Sequence, residues 1–258
     1  MQYCEAKDRC QPRLPSVVDK LRRALARSFW PASCVLCADA PGRELNLCAA
    51  CERDLVLNEN ACSLCAEPLA SAPVEGSTTL CGACLHERPP YESSFVPFRY
   101  VYPLDHLVRS LKFHGRLACG RVLGWLFAQR LLSARTEPLP QFVIPVPLAP
   151  RRYRERGYNQ ATELALAIRE TLAISVRTDL AIRVRETKEQ AGLHRKHRRR
   201  NVRGAFAITQ SLPKCHVAIV DDVITTGSTV GELAAALRRA GASRIEVWGI
   251  ARAQRKSR

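Results

Sequence analysis

Asp221 and Asp222, followed by Thr225, Thr226, Gly227, Ser228 and Thr229, place two carboxylates and a hydroxyl-rich turn within nine residues. The hydroxyls and the successive backbone N–H groups of such a turn, set at a helix N-terminus, suit a phosphate. Adjacent carboxylates cannot hold a phosphate, but they accept hydrogen bonds from vicinal hydroxyls or organise a divalent ion through water. A ligand that satisfies both halves carries a diol and a monophosphate, as ribose 5-phosphate does. The chain has no GxxxxGK and no GxGxxG after a strand, which argues against a nucleotide-hydrolysing phosphate loop and a dinucleotide fingerprint. The bland alternative is an ordinary strand and turn whose acids merely cap.

A second chemistry resides in the cysteines. Eight of the twelve fall in four CxxC pairs, Cys34/Cys37, Cys48/Cys51, Cys62/Cys65 and Cys81/Cys84. Such pairs are ordinary zinc knuckles, and four of them make two Cys4 sites for structural Zn2+. Iron–sulfur clusters and redox-active thiols are the alternatives; a disulfide framework would need an export signal, and the sequence shows none. Ten residues separate the first two knuckles and fifteen the last two, which suits sequential pairing in zinc-ribbon hairpins. Interleaved pairing stays open on spacing alone. Cys119 and Cys215 lie outside the knuckles, and Cys215, at the entrance to the strand before the acids, is expected to be buried.

The elements that must position these groups follow from periodicity. Val217–Val220 is a continuous apolar run, the mark of a buried parallel strand, and GELAAALRRAGA after the turn is helical. Upstream, LDHLVRSLKFHG reads as a helix ending at Gly115 and Leu117–Leu132 as another. Phe95–Leu104, interrupted by Pro97 and Pro103, reads as an edge strand or hairpin. Gln141–Pro147 reads as a short strand that runs into a loop with four arginines, Arg151, Arg152, Arg154 and Arg156, and then a helix from about Gln160 to Leu172. This loop is a candidate second anion site. Arg244–Ile250 is expected to complete the sheet, with Arg252, Arg255, Lys256 and Arg258 in a basic tail. Near the start, Val17, Val18, Leu21, Leu25 and Phe29 mark one face of a short amphipathic helix.

Composition sets the frame. A chain of 258 residues with 47% hydrophobic content can bury a sizeable core and a smaller appendage. It has no run of 18 apolar residues and no signal-type region, so it is expected to be cytoplasmic, without an integral membrane segment. Residues 141–258 hold 23 Lys/Arg against 10 Asp/Glu, most of the formal net charge of +16. Six of the nine residues from Arg195 to Arg203 are basic, too charged for a core. That segment reads as a mobile loop over a polyanionic substrate or as a nucleic-acid surface. The six histidines show no catalytic spacing and read as surface or packing residues.

VAIVDDVITTGST resembles the phosphoribosyl-diphosphate (PRPP) loop of type I phosphoribosyltransferases. Together with IPVPLAPRRYRERGYNQ, LKFHG at 111–115, the R-x-R-x-T-x-x-Q-x-x-L track from Arg183, the R-x-x-N-V-x-G-A-F track from Arg198 and the four CxxC pairs, it is similar to the ComF family of competence proteins. The resemblance implies an α/β type I phosphoribosyltransferase fold with a mostly parallel sheet, preceded by a small zinc-ribbon module. It divides the chain into an extension over 1–28, a double zinc ribbon over 29–90 and a phosphoribosyltransferase-like domain over 91–258. Asp221 and Asp222 would address the ribose hydroxyls of PRPP, and Thr225, Thr226, Gly227, Ser228 and Thr229 its 5-phosphate, with Mg2+ accompanying the diphosphate. Arg151 and Arg152 would face the diphosphate, and Thr187, Gln190 and Arg198 would lie on a catalytic loop over 186–200 that closes on the ligand. The implied activity is transfer of 5-phosphoribosyl to an acceptor with release of diphosphate, in support of DNA uptake. The alternative is a non-catalytic module that binds single-stranded DNA or senses PRPP. Expected partners are PRPP, with single-stranded DNA, competence proteins and a second copy of the chain as further candidates.

Overall fold

The structure, a computed structural model, describes residues 33–70, 79–186 and 201–254. The amphipathic helix expected over Val17–Phe29 lies outside the described residues, as do Thr187, Gln190 and Arg198. In chain order the elements are α1 (Ala49–Arg53), α2 (Gly82–His86), β1 (Ser93–Phe95), β2 (Phe98–Arg99), α3 (Leu104–Phe113), α4 (Leu117–Ala134), β3 (Phe142–Pro145), α5 (Pro150–Arg156), α6 (Gln160–Leu172), β4 (Ser175–Val176), β5 (Ala181–Arg183), β6 (Phe206–Ile208), β7 (His216–Ile224), α7 (Ser228–Ala240) and β8 (Arg244–Arg252).

The main sheet is parallel, in the order β1-β8-β7-β3-β4, and β2 also pairs with β8. The apolar run before the acids is its central strand, β7, covered on both faces as a parallel strand requires. Ala218 and Val220 join one core with α3, α4 and α6, while Val217 and Ile219 join another with α7 and β6. After Asp222 the alternation shifts, since Val223 packs on the first core and Ile224 sits in the second. The acidic pair therefore stands where the strand leaves its regular pleat.

For Phe95–Leu104 the edge strand is the alternative found, and one reading of another segment changes. Phe95–Leu104 contains no hairpin; its strand residues run parallel to β8 on either side of Pro97, an edge strand broken where proline cannot donate. The arginine-rich loop is a helix, α5, with Pro150 at its first position and Gly157 closing it at φ 78°. Proline at the start and a left-handed glycine past the end are favourable helix boundaries, and they outweigh the mutual repulsion of four arginines.

Helices α4 and α6 approach closely at Gly124, where an added Cβ would stand 2.5 Å from Ala167 Cβ and 3.1 Å from the Leu164 carbonyl oxygen. Gly124→Ala is therefore expected to lower stability by about 1–3 kcal/mol through overpacking. Urea denaturation checks this, and an unchanged midpoint would contradict so close an approach.

The cysteine-bearing segments are docked on this domain rather than separate from it. Cys34, Leu47 and Leu55 belong to the same core as Phe98 and α4, and the Arg43 guanidinium lies 5.8 Å from the ring centre of Trp125. Between the two cysteine clusters, Leu57 bridges antiparallel to Phe98, with Asn58 N donating to the Pro97 carbonyl at 2.8 Å and Arg99 N to that of Val56 at 2.9 Å. This pairing covers part of the sheet edge that β2 would otherwise present. No helix among the described residues is long and apolar enough to cross a membrane.

Candidate functional site

The cysteines resolve the pairing that spacing left open. Cys34, Cys37, Cys48 and Cys51 form one cluster and Cys62, Cys65, Cys81 and Cys84 another, the ligand atoms of each within 4.8 Å of one another. Sequential pairing is therefore the arrangement found. A tetrahedral zinc–thiolate centre requires sulfurs about 3.8 Å apart. Cys37 Sγ and Cys48 Sγ are 3.8 Å apart, and Cys65 Sγ and Cys81 Sγ 3.6 Å apart. Knuckle amides aim at the sulfurs, with Cys48 N to Cys34 Sγ and Cys51 N to Cys48 Sγ both at 3.4 Å. Both clusters are thus able to coordinate Zn2+. Cys119 and Cys215 are buried elsewhere.

At the carboxyl end of β7 the chain turns through Thr225–Gly227 into α7. Gly227, at φ 75°, is the N-cap and supplies no side chain to the first-turn amides. The loop hydroxyls contact each other, Thr226 Oγ1 lying 2.8 Å from Ser228 Oγ and accepting from Ser228 N at 3.3 Å. Thr225 is exposed, whereas Thr226, Ser228 and Thr229 are half-buried.

Successive residues of a strand face opposite ways, and the two acids have different surroundings. Asp222 continues the parity of Ala218 and Val220 toward α3, where it is buried and ion-paired with Lys112 Nζ at 2.6 Å. Its Oδ1 accepts from Val223 N at 2.7 Å. Burial pulls the Lys112 ammonium down, but Asp222, and then Asp221, outweigh it and hold it above its ordinary range. Asp221, half-buried, accepts from Asp222 N at 2.9 Å through Oδ1. Its carboxyl is pushed up to about 8, first by desolvation and then by the charge of Asp222, with Lys112 opposing.

Arg183, on β5, extends this site. Its guanidinium stacks 5.5 Å from the ring centre of Phe206. Burial lowers its pKa, the like charge of Arg152 adds to that, and Asp221 opposes both. The structure thus brings both Arg152 and Asp221 within electrostatic reach of Arg183. Arg151 goes elsewhere, since it is exposed and paired with Glu155 at 2.9 Å along α5.

Besides Arg183, two site residues have no role in the sequence reading. Lys112 sits in LKFHG, a motif that carried the family resemblance without an assigned function. Arg252 was placed in a basic tail and is instead the last residue of β8, 1% exposed. Its Nη1 donates to the Ile224 carbonyl at 2.7 Å and to that of Thr225, and its Nη2 pairs with Glu67. Among the described histidines, His86, His106 and His114 are exposed. His216 Nε2 is 2.8 Å from Glu246 Oε1, a packing pair at the opposite end of β7.

Two Cys4 clusters docked on a parallel sheet, with an acidic pair and a hydroxyl loop ending its central strand, define a double zinc ribbon joined to an α/β domain. Residues 25–85 match the family described as double zinc ribbon domain. The chain is 36% identical over 242 residues to the DNA utilization protein YhgH of Salmonella typhi, covering 93% of this chain and 98% of that protein. It is also 36% identical over 221 residues to competence protein F of Haemophilus influenzae, covering 80% and 96% respectively. The chain belongs to the ComF family of competence proteins. Among solved structures, a glutamine PRPP amidotransferase from B. subtilis aligns with 50% of this chain and 25% of its own at 22% identity, with a TM-score of 0.34, too partial a likeness to bear on activity.

Proposed function

We propose that this protein binds PRPP at the end of β7 and transfers its 5-phosphoribosyl group to an acceptor with release of diphosphate, in support of DNA uptake. The observation that carries the reading is the juxtaposition of Asp221 and Asp222 with a helix N-terminus whose cap has no side chain. The amides and hydroxyls of Thr225–Thr229 take the 5-phosphate. Asp221 meets the ribose diol, while Asp222, fixed by Lys112, sets the backbone that carries Asp221. Arg152 and Arg183 supply positive charge toward the departing diphosphate. Because the leaving group departs through a cationic ribosyl transition state, the chain needs no nucleophile. The acidic pair forms no oxygen cage of its own, since Asp222 is held by Lys112, so Mg2+ belongs to the substrate as its PRPP complex. The two cysteine clusters hold structural Zn2+.

Titration calorimetry with magnesium PRPP tests the reading. Measured above pH 8, where Asp221 is ionised, Asp221→Asn with Asp222→Asn is expected to weaken binding at least about tenfold, since hydrogen bonds to charged groups each contribute roughly 1.5–3 kcal/mol. Equal binding by wild type and variant would remove both acids from the site.

A second reading, single-stranded nucleic-acid binding, draws on a different observation. Tyr153 is 51% exposed on α5 among four arginines, and Phe113, 64% exposed, lies under Arg156 with its guanidinium 5.4 Å from the ring centre. Exposed rings with interleaved cations suit base stacking along a strand. Binding to an oligothymidylate that ignores salt concentration would defeat it.

A further inference from the structure

The second cysteine cluster and the phosphate loop are joined by one buried ion pair. Glu67 lies two residues after Cys65, and its backbone belongs to the knuckle, since its carbonyl accepts from Cys62 N at 2.9 Å while Ala66 N donates to the Cys62 carbonyl at 2.8 Å. Ala66, at φ 55°, turns the chain between them, and its carbonyl accepts from Asn58 Nδ2 at 3.0 Å. The position of Glu67 is thus dictated by the fold of the cluster. Arg252 spans from this carboxylate to the carbonyls of Ile224 and Thr225, where β7 becomes the loop. Glu67 is 9% exposed and Arg252 1%, so water offers little substitute for either partner. A cavity of about 160 Å³ is lined by Cys65, Tyr91, Thr226, Gly227 and Ser228, so the cluster and the loop face the same space.

We infer that Arg252 is a positioning residue that transmits the conformation of the second cysteine cluster to the phosphate loop through Glu67. The guanidinium fork is what the task requires. It presents several donors in one plane, so it holds two loop carbonyls and a carboxylate at once, whereas an ammonium on a flexible stem cannot span them. Losing the cluster, by metal removal or thiol oxidation, releases Glu67 and with it the carbonyls that set the loop's entry. Among the described residues, the first cluster's ion pair, Arg43 with Glu52 at 2.6 Å, joins two residues of that cluster's own segment and does not involve the loop.

The inference rests on the proposed function only where PRPP is used as a probe, and the test separates the two. Amide hydrogen exchange is followed at Thr226–Val230 in wild type, Glu67→Gln, Arg252→Lys, the double variant and the control Glu52→Gln. Exchange at these amides is expected to quicken roughly tenfold in each single variant, with β7 and α4 protected as in wild type. The double variant should match the singles, because both remove one bridge, and Glu52→Gln should leave the loop at its wild-type rate. Glu67→Gln conserves volume and decides the matter even if Arg252→Lys fails to fold. Wild-type exchange in Glu67→Gln, or effects that multiply in the double variant, would overturn the inference. Calorimetry with magnesium PRPP should show affinity about fivefold weaker in Glu67→Gln, the cost of a less organised loop. If wild type takes up no PRPP, the functional reading fails while the exchange result still decides the bridge.

Discussion

Replacing Lys112 with Met is expected to destabilise the protein by about 3 kcal/mol and to raise the titration midpoint of Asp221 above its value of about 8. Both effects have one cause. Asp222 is buried, with its carboxylate 2.6 Å from the ammonium, and methionine preserves the aliphatic stem while removing the charge that pairs with Asp222 from α3. The size sits at the low end for a broken buried pair because the Lys112 side chain keeps 22% exposure. The direction for Asp221 follows from its surroundings, in which desolvation and Asp222 raise its pKa and Lys112 lowers it. Carboxyl-selective NMR of wild type and variant reads the midpoint directly. A midpoint unchanged in Lys112→Met would mean that α3 does not reach the pair.

The same shift predicts how stability depends on pH. The folded-state pKa of Asp221 lies above its ordinary value of 3.8, so between that value and about 8 the folded chain holds a proton that the unfolded chain has lost. Stability from this group is therefore greatest in acid and declines as pH rises toward 8, opposite to an ordinary salt-bridged carboxylate. Asp221→Asn should flatten that part of the melting-temperature profile.

The second large effect concerns the metal. Carefully prepared protein is expected to contain about two zinc ions per chain, one in each Cys4 cluster. Cys34→Ser with Cys48→Ser, two ligands of the same cluster, should lose one ion and keep the other. Cys34→Ser with Cys62→Ser, one ligand from each cluster, should lower occupancy at both, a contrast that interleaved pairing would reverse. Chelation should cost the cysteine-rich segments their fold, because structural zinc contributes apparent binding free energies of about 10–16 kcal/mol that become folding free energy. Metal content near zero in folded wild type would refute the zinc reading.

What could be read from the chain follows the range of the interactions involved. Each CxxC knuckle is built from neighbouring residues, and the acids, the turn and the first turn of α7 are consecutive, so residue type and spacing suffice to place them on a strand, a loop and a helix start. Helix boundaries are equally local, and at α5 Pro150 and Gly157 set the ends despite the charge of its arginines. Which knuckles share a cluster was open on spacing because either pairing closes hairpins of acceptable length. The packing of Leu47 and Leu55 on the sheet accompanies the sequential choice.

The sequence by itself determined which residues stand together, the CxxC thiols and the acidic pair with its hydroxyl-rich turn, because each set is encoded within one short stretch of chain. Only the tertiary structure decided how the acids differ, since adjacent strand residues face different layers and the layer that meets Asp222 is α3, carrying Lys112. Only it moved Arg252 from a solvated tail to a buried bridge with Glu67, 185 residues earlier in the chain. The physical reason is burial. An arginine in isolation is assigned to water by its charge, and only the assembled fold supplies a carboxylate and two carbonyls that compensate its desolvation.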